Sequence, residues 1–286
     1  MTAQRPLLAF FGHHKCATTW INGIMRAVCH ELRLSCATIY GPRKIGNDLR
    51  AHLTAHPHDV VLYTNANYEQ VRRLDGYRGF HVVRDPRDVV VSAYYAHRNS
   101  HRITEEWPEL AEQRDALQAM PKEEGLLYMI EKSELIFSHM AGWNYDDPDV
   151  LQLTMEDLTK HPYERFVDVF DFLGLLDTSP LTSKKRLRYL LARQGRAFET
   201  RTKRRIPLAP PERLPAERLL GILWEQRFSA KAGGRTAGQE DASSHYRKGE
   251  AGDWRNHFKP EHVAYFKERY NPLLLKLGYE QTPDWT

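Results

Sequence analysis

The chain has 286 residues, of which 41% are hydrophobic and 27% charged, and its formal net charge is +4 at pH 7. This composition argues against a disordered chain and against a dedicated nucleic-acid binder, while it allows small anionic ligands. The three cysteines are not spaced for a zinc site or a disulfide framework, and no apolar run approaches the roughly 18 residues of a membrane span. These features predict a cytoplasmic protein without stable membrane insertion. We expect one domain over residues 1–286.

Short apolar runs alternate with helical patterns along the chain. The short runs, mostly rich in Val, predict buried strands at 7–11, 59–66, 79–84 and 149–158. Apolar residues at helical spacing predict helices at 18–30, 88–101, 105–141, 162–173, 212–226 and 260–277. This alternation is typical of an α/β fold with a parallel β-sheet flanked by helices.

Two stretches, 184–205 and 230–245, are predicted to be flexible flaps. The first has ten basic residues against one acidic, which is compatible with an acidic glycan, a nucleic acid or a membrane surface, but also with a solvated helix face. Its Leu187, Leu190 and Leu191 fall at helical spacing, which predicts an amphipathic segment over the core or over an acceptor pocket.

The segment FFGHHKCATTWING, residues 10–23, runs from a strand through a short loop into a helix. Such a junction directs backbone N–H groups and the positive helix end at one place, where a phosphate or sulfate can bind. Lys15 adds a positive charge, Thr18 and Thr19 add hydroxyls at the helix start, and small Cys16 and Ala17 let an anion approach. A well-capped structural junction would have the same residues, so the loop alone decides nothing.

Two further segments repeat this arrangement. In HVVRDPRDVVVSAYYAH a strand ends at Arg84, Asp85 can cap the next helix, Asp88 falls at the capping-box position, and Ser92 follows two turns on. In YRKGEAGDWRNHF, residues 246–258, charged side chains and a glycine N–H can converge on one anion. Surface arginines and a basic turn are the alternatives.

Together the three segments resemble the sulfotransferases that use 3′-phosphoadenosine 5′-phosphosulfate (PAPS), from about residue 6 to 280. KCATTW is similar to the family's K-S-G-T-T-W, VVRDPRDVVVSAYY to R-N-P-[KR]-D-x-x-V-S, and YRKGEAGDWRNHF to R-K-G-x-x-G-D-W-K-N. The resemblance implies a P-loop-like sulfotransferase fold. It also implies nucleotide contacts from Lys15, Cys16, Ala17, Thr18, Thr19, Trp20, Arg84, Ser92, Phe228, Arg247, Lys248 and Gly249, with Trp20 and Phe228 against adenine.

The sequence departs from the cytosolic members of the family at the catalytic base. Asn65 in YTNANY stands where their T-H-L-P histidine falls, and Met155 in LTMEDL replaces a tyrosine. We predict Lys15 and His14 as catalytic residues, Lys15 at the leaving group and His14 as base, although His14 could simply shape the loop and an acidic acceptor needs no base. His97 and His101 are spaced for a metal, but without a third ligand they are interpreted as surface histidines, and no metal is expected.

The predicted function is transfer of a sulfuryl group from PAPS to a hydroxyl or amine of an acceptor, a small molecule rather than a nucleic acid, without a metal. A glycan or lipid acceptor, a phosphotransferase with an altered phosphate loop, and a non-catalytic module that binds adenosine bisphosphate remain as alternatives. The sequence does not indicate the oligomeric state.

Overall fold

The computed structural model describes residues 6–41, 45–105, 107–180, 182–202 and 211–286. Its centre is a five-stranded, wholly parallel sheet in the order β2-β3-β1-β4-β5. The strands are β1 (Leu7–Gly12), β2 (Cys36–Ile39), β3 (Val60–Tyr63), β4 (Tyr77–Val83) and β5 (Val150–Thr154). Strand β1 is central, and its Leu8 pairs with Val60 of β3 and Arg78 of β4.

The helices follow the strands in the alternation that the sequence predicts. They are α1 (Thr18–Leu32), α2 (Leu49–Ala55), α3 (Tyr68–Val71), α4 (Pro86–Tyr95), α5 (Glu109–Ala119), α6 (Lys122–Lys132), α7 (Glu134–Ala141), α8 (Met155–Lys160), α9 (Pro162–Phe172), α10 (Ser183–Thr202), α11 (Ala216–Glu225), α12 (Phe228–Lys231) and α13 (Pro260–Leu277). Strands β6 (Leu176–Asp177) and β7 (Leu214–Pro215) form a separate pair. None of the described helices is long and apolar enough to cross a membrane.

Both faces of the sheet are covered. Because alternate strand residues point to opposite faces, Leu8 and Phe10 pack in a core with α1, α9 and α11, while Ala9 and Phe11 pack against Trp143 and Leu49. A further core forms between α4, α6, α7 and α13. The predicted α/β fold with a parallel sheet flanked by helices is therefore confirmed.

Several boundaries differ from the predicted ones. Edge strand β2 was not predicted, since it is short and only partly buried. The predicted helix at 105–141 is three helices, interrupted at Pro121 and at Ser133, whose hydroxyl donates to the carbonyl of Met129. The strand predicted at 149–158 ends at Thr154, because the Thr154 hydroxyl accepts from the Asp157 N–H and caps α8.

The basic stretch 184–205 is helical up to Thr202 within α10, and its last three residues lie outside the described part of the chain. Helix α10 is tied to α1 by a hydrogen bond from Tyr189 to Glu31 and by an ion pair between Arg33 and Glu199. Part of the stretch packs over the core as predicted, through Tyr189, but Leu187, Leu190 and Leu191 are exposed, so the prediction that these leucines make the contact is wrong. The flexibility of 184–205 and 230–245 stays a prediction.

Candidate active site

The carboxyl ends of the central strands open into a cavity of ≈ 1790 Å³. Its lining comes from all three of the predicted anion-binding segments, although the first lies near residue 15 and the last near residue 248. The predicted site residues that line it are His14, Lys15, Ala17, Thr18, Thr19, Trp20, Arg84, Ser92, Phe228, Arg247, Lys248 and Gly249. Of the predicted set, Cys16 alone does not line the cavity.

The loop between β1 and α1 has the backbone of an anion-binding nest. Lys15 and Ala17 both have left-handed backbone conformations, with φ of 65° and 58°. Ala17 is the N-cap of α1 without a side-chain cap bond, so the first N–H groups of α1 are left for other partners. Ala17 has no side chain large enough to block the nest, as predicted.

The Cys16 side chain points away from the cavity, and its thiol donates to the carbonyl of His14. This side chain is fully buried in the core formed with α4 and α13. Burial raises the pKa of the Cys16 thiol, so the residue stays neutral. Its N–H donates to the carbonyl of His13 at 3.1 Å, so its role toward a bound anion is limited to its small size.

Lys15 lies beside two other cations. Burial is the main cause that lowers the pKa of Lys15, to about 7, and the positive charges of Arg84 and Arg247 lower it further. Three basic side chains that repel one another in a partly dry cavity form a site that an anion stabilises.

Arg84, directly after β4, connects the loop between β1 and α1 to the start of α4. One of its terminal nitrogens donates to the carbonyl of Lys15 at 3.3 Å, and the other lies 3.8 Å from the carboxylate of Asp88. The Arg84 Nε is buried and has no hydrogen-bond partner among the described residues. Ser92, farther along α4, lines the same cavity. Arg84 thus retains a donor for a ligand.

Asp88 does not form the capping-box hydrogen bond that its position predicts. Asp85 caps α4 as expected, accepting from the Arg87 N–H, but the Asp85 N–H donates to Glu156. The Asp88 carboxylate instead accepts from the N–H groups of Gly252 at 2.7 Å and Trp254 at 2.9 Å. Asp88 therefore connects α4 to the closing loop, which we define as residues 246–258.

Within the closing loop, Asp253 orients the two predicted phosphate ligands. Its carboxylate lies 2.5 Å from Arg247 and 2.6 Å from Lys248, and Arg247 also pairs with Glu240 at 2.6 Å. Although burial raises the pKa of Asp253, hydrogen bonds from His257, Lys248 and other donors hold it far below its usual range. Asp253 was not among the predicted site residues, because nothing in the local sequence indicates that its carboxylate contacts Arg247 and Lys248.

Gly249 is required by a close contact. Its φ is +72°, and a Cβ added there would lie 2.6 Å from the ring of Phe228. Trp20 packs edge-on against Phe166, with ring centroids 5.3 Å apart. Both predicted adenine contacts, Trp20 and Phe228, line the cavity, and their stacking on adenine stays a prediction.

A second anchor of α4, Arg87, was also not predicted. Its guanidinium lies over the rings of Trp254 at 4.0 Å and Trp285 at 4.5 Å, and it pairs with Asp85 and Glu280. Because Trp254 belongs to the closing loop, Arg87 and Asp88 together fasten that loop to the helix that follows Arg84.

The histidines near Lys15 form a cluster. The Nε2 atoms of His14 and His97 are 2.9 Å apart, and the ring of His101 is stacked on that of His14 at 5.2 Å. The interpretation of His97 and His101 as surface histidines without a third ligand is wrong. His97 is only 4% exposed, and one nitrogen of each of the three lies within 4.8 Å of the others. By contrast, His13 is bonded to His81 in the core.

Burial and nearby positive charge keep these imidazoles neutral. Burial, then His101 and Lys15, lowers the pKa of His97 to about 3, and burial, then Lys15, lowers that of His101 to about 4. The pKa of His14 is lowered well below its ordinary value, first by burial and then by His97. Asn65, where the family's base falls, donates to the carbonyl of Tyr40 at 2.7 Å and lines the cavity.

Residues 77–205 match the family described as the sulfotransferase domain. A comparison with curated proteins gives no match. The structure is similar to that of mouse sulfotransferase SULT7A1 complexed with PAP, at 17% identity over 95% of this chain and 86% of that one, with a TM-score of 0.56. It is also similar to retinol dehydratase in a complex with retinol and PAP, at 16% identity over 95% and 82%, with a TM-score of 0.50. The family match over residues 77–205 and the shared fold confirm the predicted resemblance to the sulfotransferases and the predicted sulfotransferase fold.

Proposed function

We propose that the chain transfers the sulfuryl group of PAPS to a hydroxyl or amine of a small-molecule acceptor. The observation that carries the proposal is the convergence of Lys15, Arg84 and Arg247 with the N-terminus of α1 at one cavity. Buried cations and helix N-termini bind phosphate and sulfate groups. The PAP in the SULT7A1 structure supports the same ligand class.

The described contacts fit a nucleotide with two separate phosphate positions. The nest at Lys15 and Ala17 suits the 5′-phosphosulfate. Arg84, with its unpartnered Nε, suits the 3′-phosphate together with Ser92 and the closing loop. Asp88 and Asp253 hold this second group in place, so little reorganisation is needed on binding.

Transfer needs charge stabilisation at the leaving group and removal of a proton from the acceptor. The acceptor oxygen or nitrogen forms a bond to sulfur while the bond between sulfur and the 5′-phosphate oxygen breaks, and the electron pair stays on that oxygen. Lys15 stabilises the resulting charge by a hydrogen bond, and an anion beside Lys15 favours its protonated form. His14 accepts the proton of the acceptor through an imidazole that is neutral before the reaction.

The acceptor end of the cavity has a mixed polar lining. Helices α5, α6 and α7 contribute Glu109, Glu112, Tyr128, Lys132 and His139 to its wall. The same wall also has apolar groups from Trp107, Leu135 and Ile136, and this combination suits a small molecule with an apolar body and a reactive hydroxyl or amine. The retinol in the retinol dehydratase structure supports a small-molecule acceptor, without indicating its identity.

The test is calorimetric titration with adenosine 3′,5′-bisphosphate (PAP), with adenosine 5′-phosphate as the control ligand. We expect binding that requires the 3′-phosphate and that Arg84→Gln weakens. A screen of alcohols, phenols and amines with ³⁵S-labelled PAPS then identifies the acceptor. Equal affinity for the two nucleotides would contradict the proposed donor site and would favour a phosphotransferase.

A further inference from the structure

The histidine cluster of His14, His97 and His101 has the composition and size of a metal site. One nitrogen of each residue lies within 4.8 Å of the others. Zn–N bonds of about 2.0–2.1 Å in a tetrahedral site separate ligand nitrogens by about 3.4 Å. The pair of His14 and His97 is slightly closer than this value, at 2.9 Å, so small side-chain rotations would fit all three around one ion.

The backbone brings these residues together by means of an irregular helix end. Helix α4 continues as a π-helical turn (Ala96–Ser100), and the N–H of His101 donates to the carbonyl of Ala96. His97 lies within this turn and His101 directly after it, so both reach His14 at the end of β1. The ring of Trp107 lies edge-on to all three imidazoles and covers the cluster. π-turns are frequent at functional sites.

Hydrogen bonds between described residues do not satisfy every imidazole nitrogen of the cluster. His97 shares one bond with His14 through Nε2, and Gln113 lies near its ring, but its buried Nδ1 has no partner that meets hydrogen-bond geometry among the described residues. All three histidines also line the cavity, from which an ion and a further ligand can enter.

We propose that His14, His97 and His101 bind a divalent transition metal such as Zn²⁺, with a fourth coordination position open to the cavity. Three histidines with an open position are a common zinc arrangement in enzymes. A His14 imidazole that ligates the ion has no lone pair for a proton. Metal binding and the base role of His14 therefore exclude each other, and bound Zn²⁺ inhibits transfer. This inhibition, unlike the binding itself, rests on the proposed function.

The binding test uses the untagged full chain in competition with a chromophoric zinc chelator, with and without PAP. We expect one bound Zn²⁺, held more tightly with PAP because the nucleotide offsets the charge of nearby Lys15. His101→Ala should weaken binding by at least about 100-fold, as loss of even a supporting group costs 10–100-fold. His97→Gln is a second variant, and Co²⁺ should give the visible absorption of a tetrahedral site.

The control is the double variant His52→Ala, His56→Ala. These histidines lie one turn apart at α2, with ring centroids 5.2 Å apart, and test for zinc held by a surface pair. We expect the double variant to bind like the unchanged chain. Zinc binding that survives His101→Ala and His97→Gln in folded protein, or no binding with or without PAP, would overturn the proposal.

Transfer assays separate the two proposals. If both hold, Zn²⁺ inhibits sulfuryl transfer, and His101→Ala needs at least about 100-fold more free Zn²⁺ for the same inhibition. If the chain binds Zn²⁺ through the cluster but does not bind PAP, the proposed function fails and the metal site stands. If PAPS is used and Zn²⁺ neither binds nor inhibits, the metal site fails and the proposed function stands.

Discussion

Replacing Asp88 should release the closing loop from helix α4 and weaken nucleotide binding. The Asp88 side chain is 1% exposed, and each of its oxygens accepts one loop N–H, from Gly252 and from Trp254. In Asp88→Asn the amide oxygen can accept one of these bonds, while the amide nitrogen faces the other N–H. In Asp88→Ala both N–H groups lose their acceptor.

The magnitude follows from the number of bonds. Hydrogen bonds to charged groups contribute about 1.5–3 kcal/mol each. Burial raises the pKa of Asp88, which shows that desolvation of the carboxylate offsets part of this gain, so we use the lower end. The expected loss in the free energy of unfolding is about 1.5 kcal/mol for Asp88→Asn and about 3 kcal/mol for Asp88→Ala. PAP must then order the loop itself, so its Kd should rise about tenfold in Asp88→Asn.

The assays are urea denaturation and calorimetric titration with PAP. Asp75→Asn is the matched control, since it makes the same change in an exposed pair with Arg50 and should alter stability by less than about 1 kcal/mol. Wild-type PAP affinity in folded Asp88→Asn would refute the reasoning, because the loop would then be held by other contacts. A similar loss in Asp75→Asn would point to net charge instead of the loop.

Three further substitutions test single residues of the donor site. Lys15→Met should lower kcat by about 10²–10³-fold, which is the range for loss of one donor to the transition state, and should change PAP affinity less. Small and equal losses in kcat and PAP affinity would contradict a catalytic role for Lys15. Gly249→Ala should weaken PAP binding, because the added Cβ would clash with the Phe228 ring. The control is Gly278→Ala, which is also at positive φ but has open space around it, and it should only lower the free energy of unfolding, by about 1–2 kcal/mol. Ala17→Gly should stabilise the fold by up to about 1 kcal/mol, since φ at this position is 58°, and a lower Tm would contradict the strain.

The central sheet and the anion-binding segments could be predicted because their signals are local. A short apolar run is enough to identify β1 or β4, and Asp85 followed by proline marks the start of α4 wherever that helix packs. Edge strand β2 lacks such a run because it is only partly buried. Its position is set by pairing with β3, which is too distant along the chain to be part of the same local sequence pattern.

The parts of the site that were not predicted depend on contacts between distant residues. Asp88 has the local pattern of a capping-box residue, but its partners lie 164 and 166 residues away and displace the local bond. His14 and His97 are 83 positions apart, so the spacing of His97 and His101 could not indicate a third member. In both cases tertiary contacts override the local interpretation.

Under the proposed function, the two ends of the cavity place different electrostatic demands on their side chains. At the proposed donor end, carboxylates behind the cations orient Arg84, Arg247 and Lys248 before an anion arrives. At the acceptor end, a carboxylate in the place of His14 would pair with Lys15 and remove the charge that the leaving group requires. A neutral imidazole accepts a proton without this competition. Under the proposed function, a histidine next to Lys15 is therefore better suited than an acidic residue to act as the base in a chain with Asn65 at the family's usual base position.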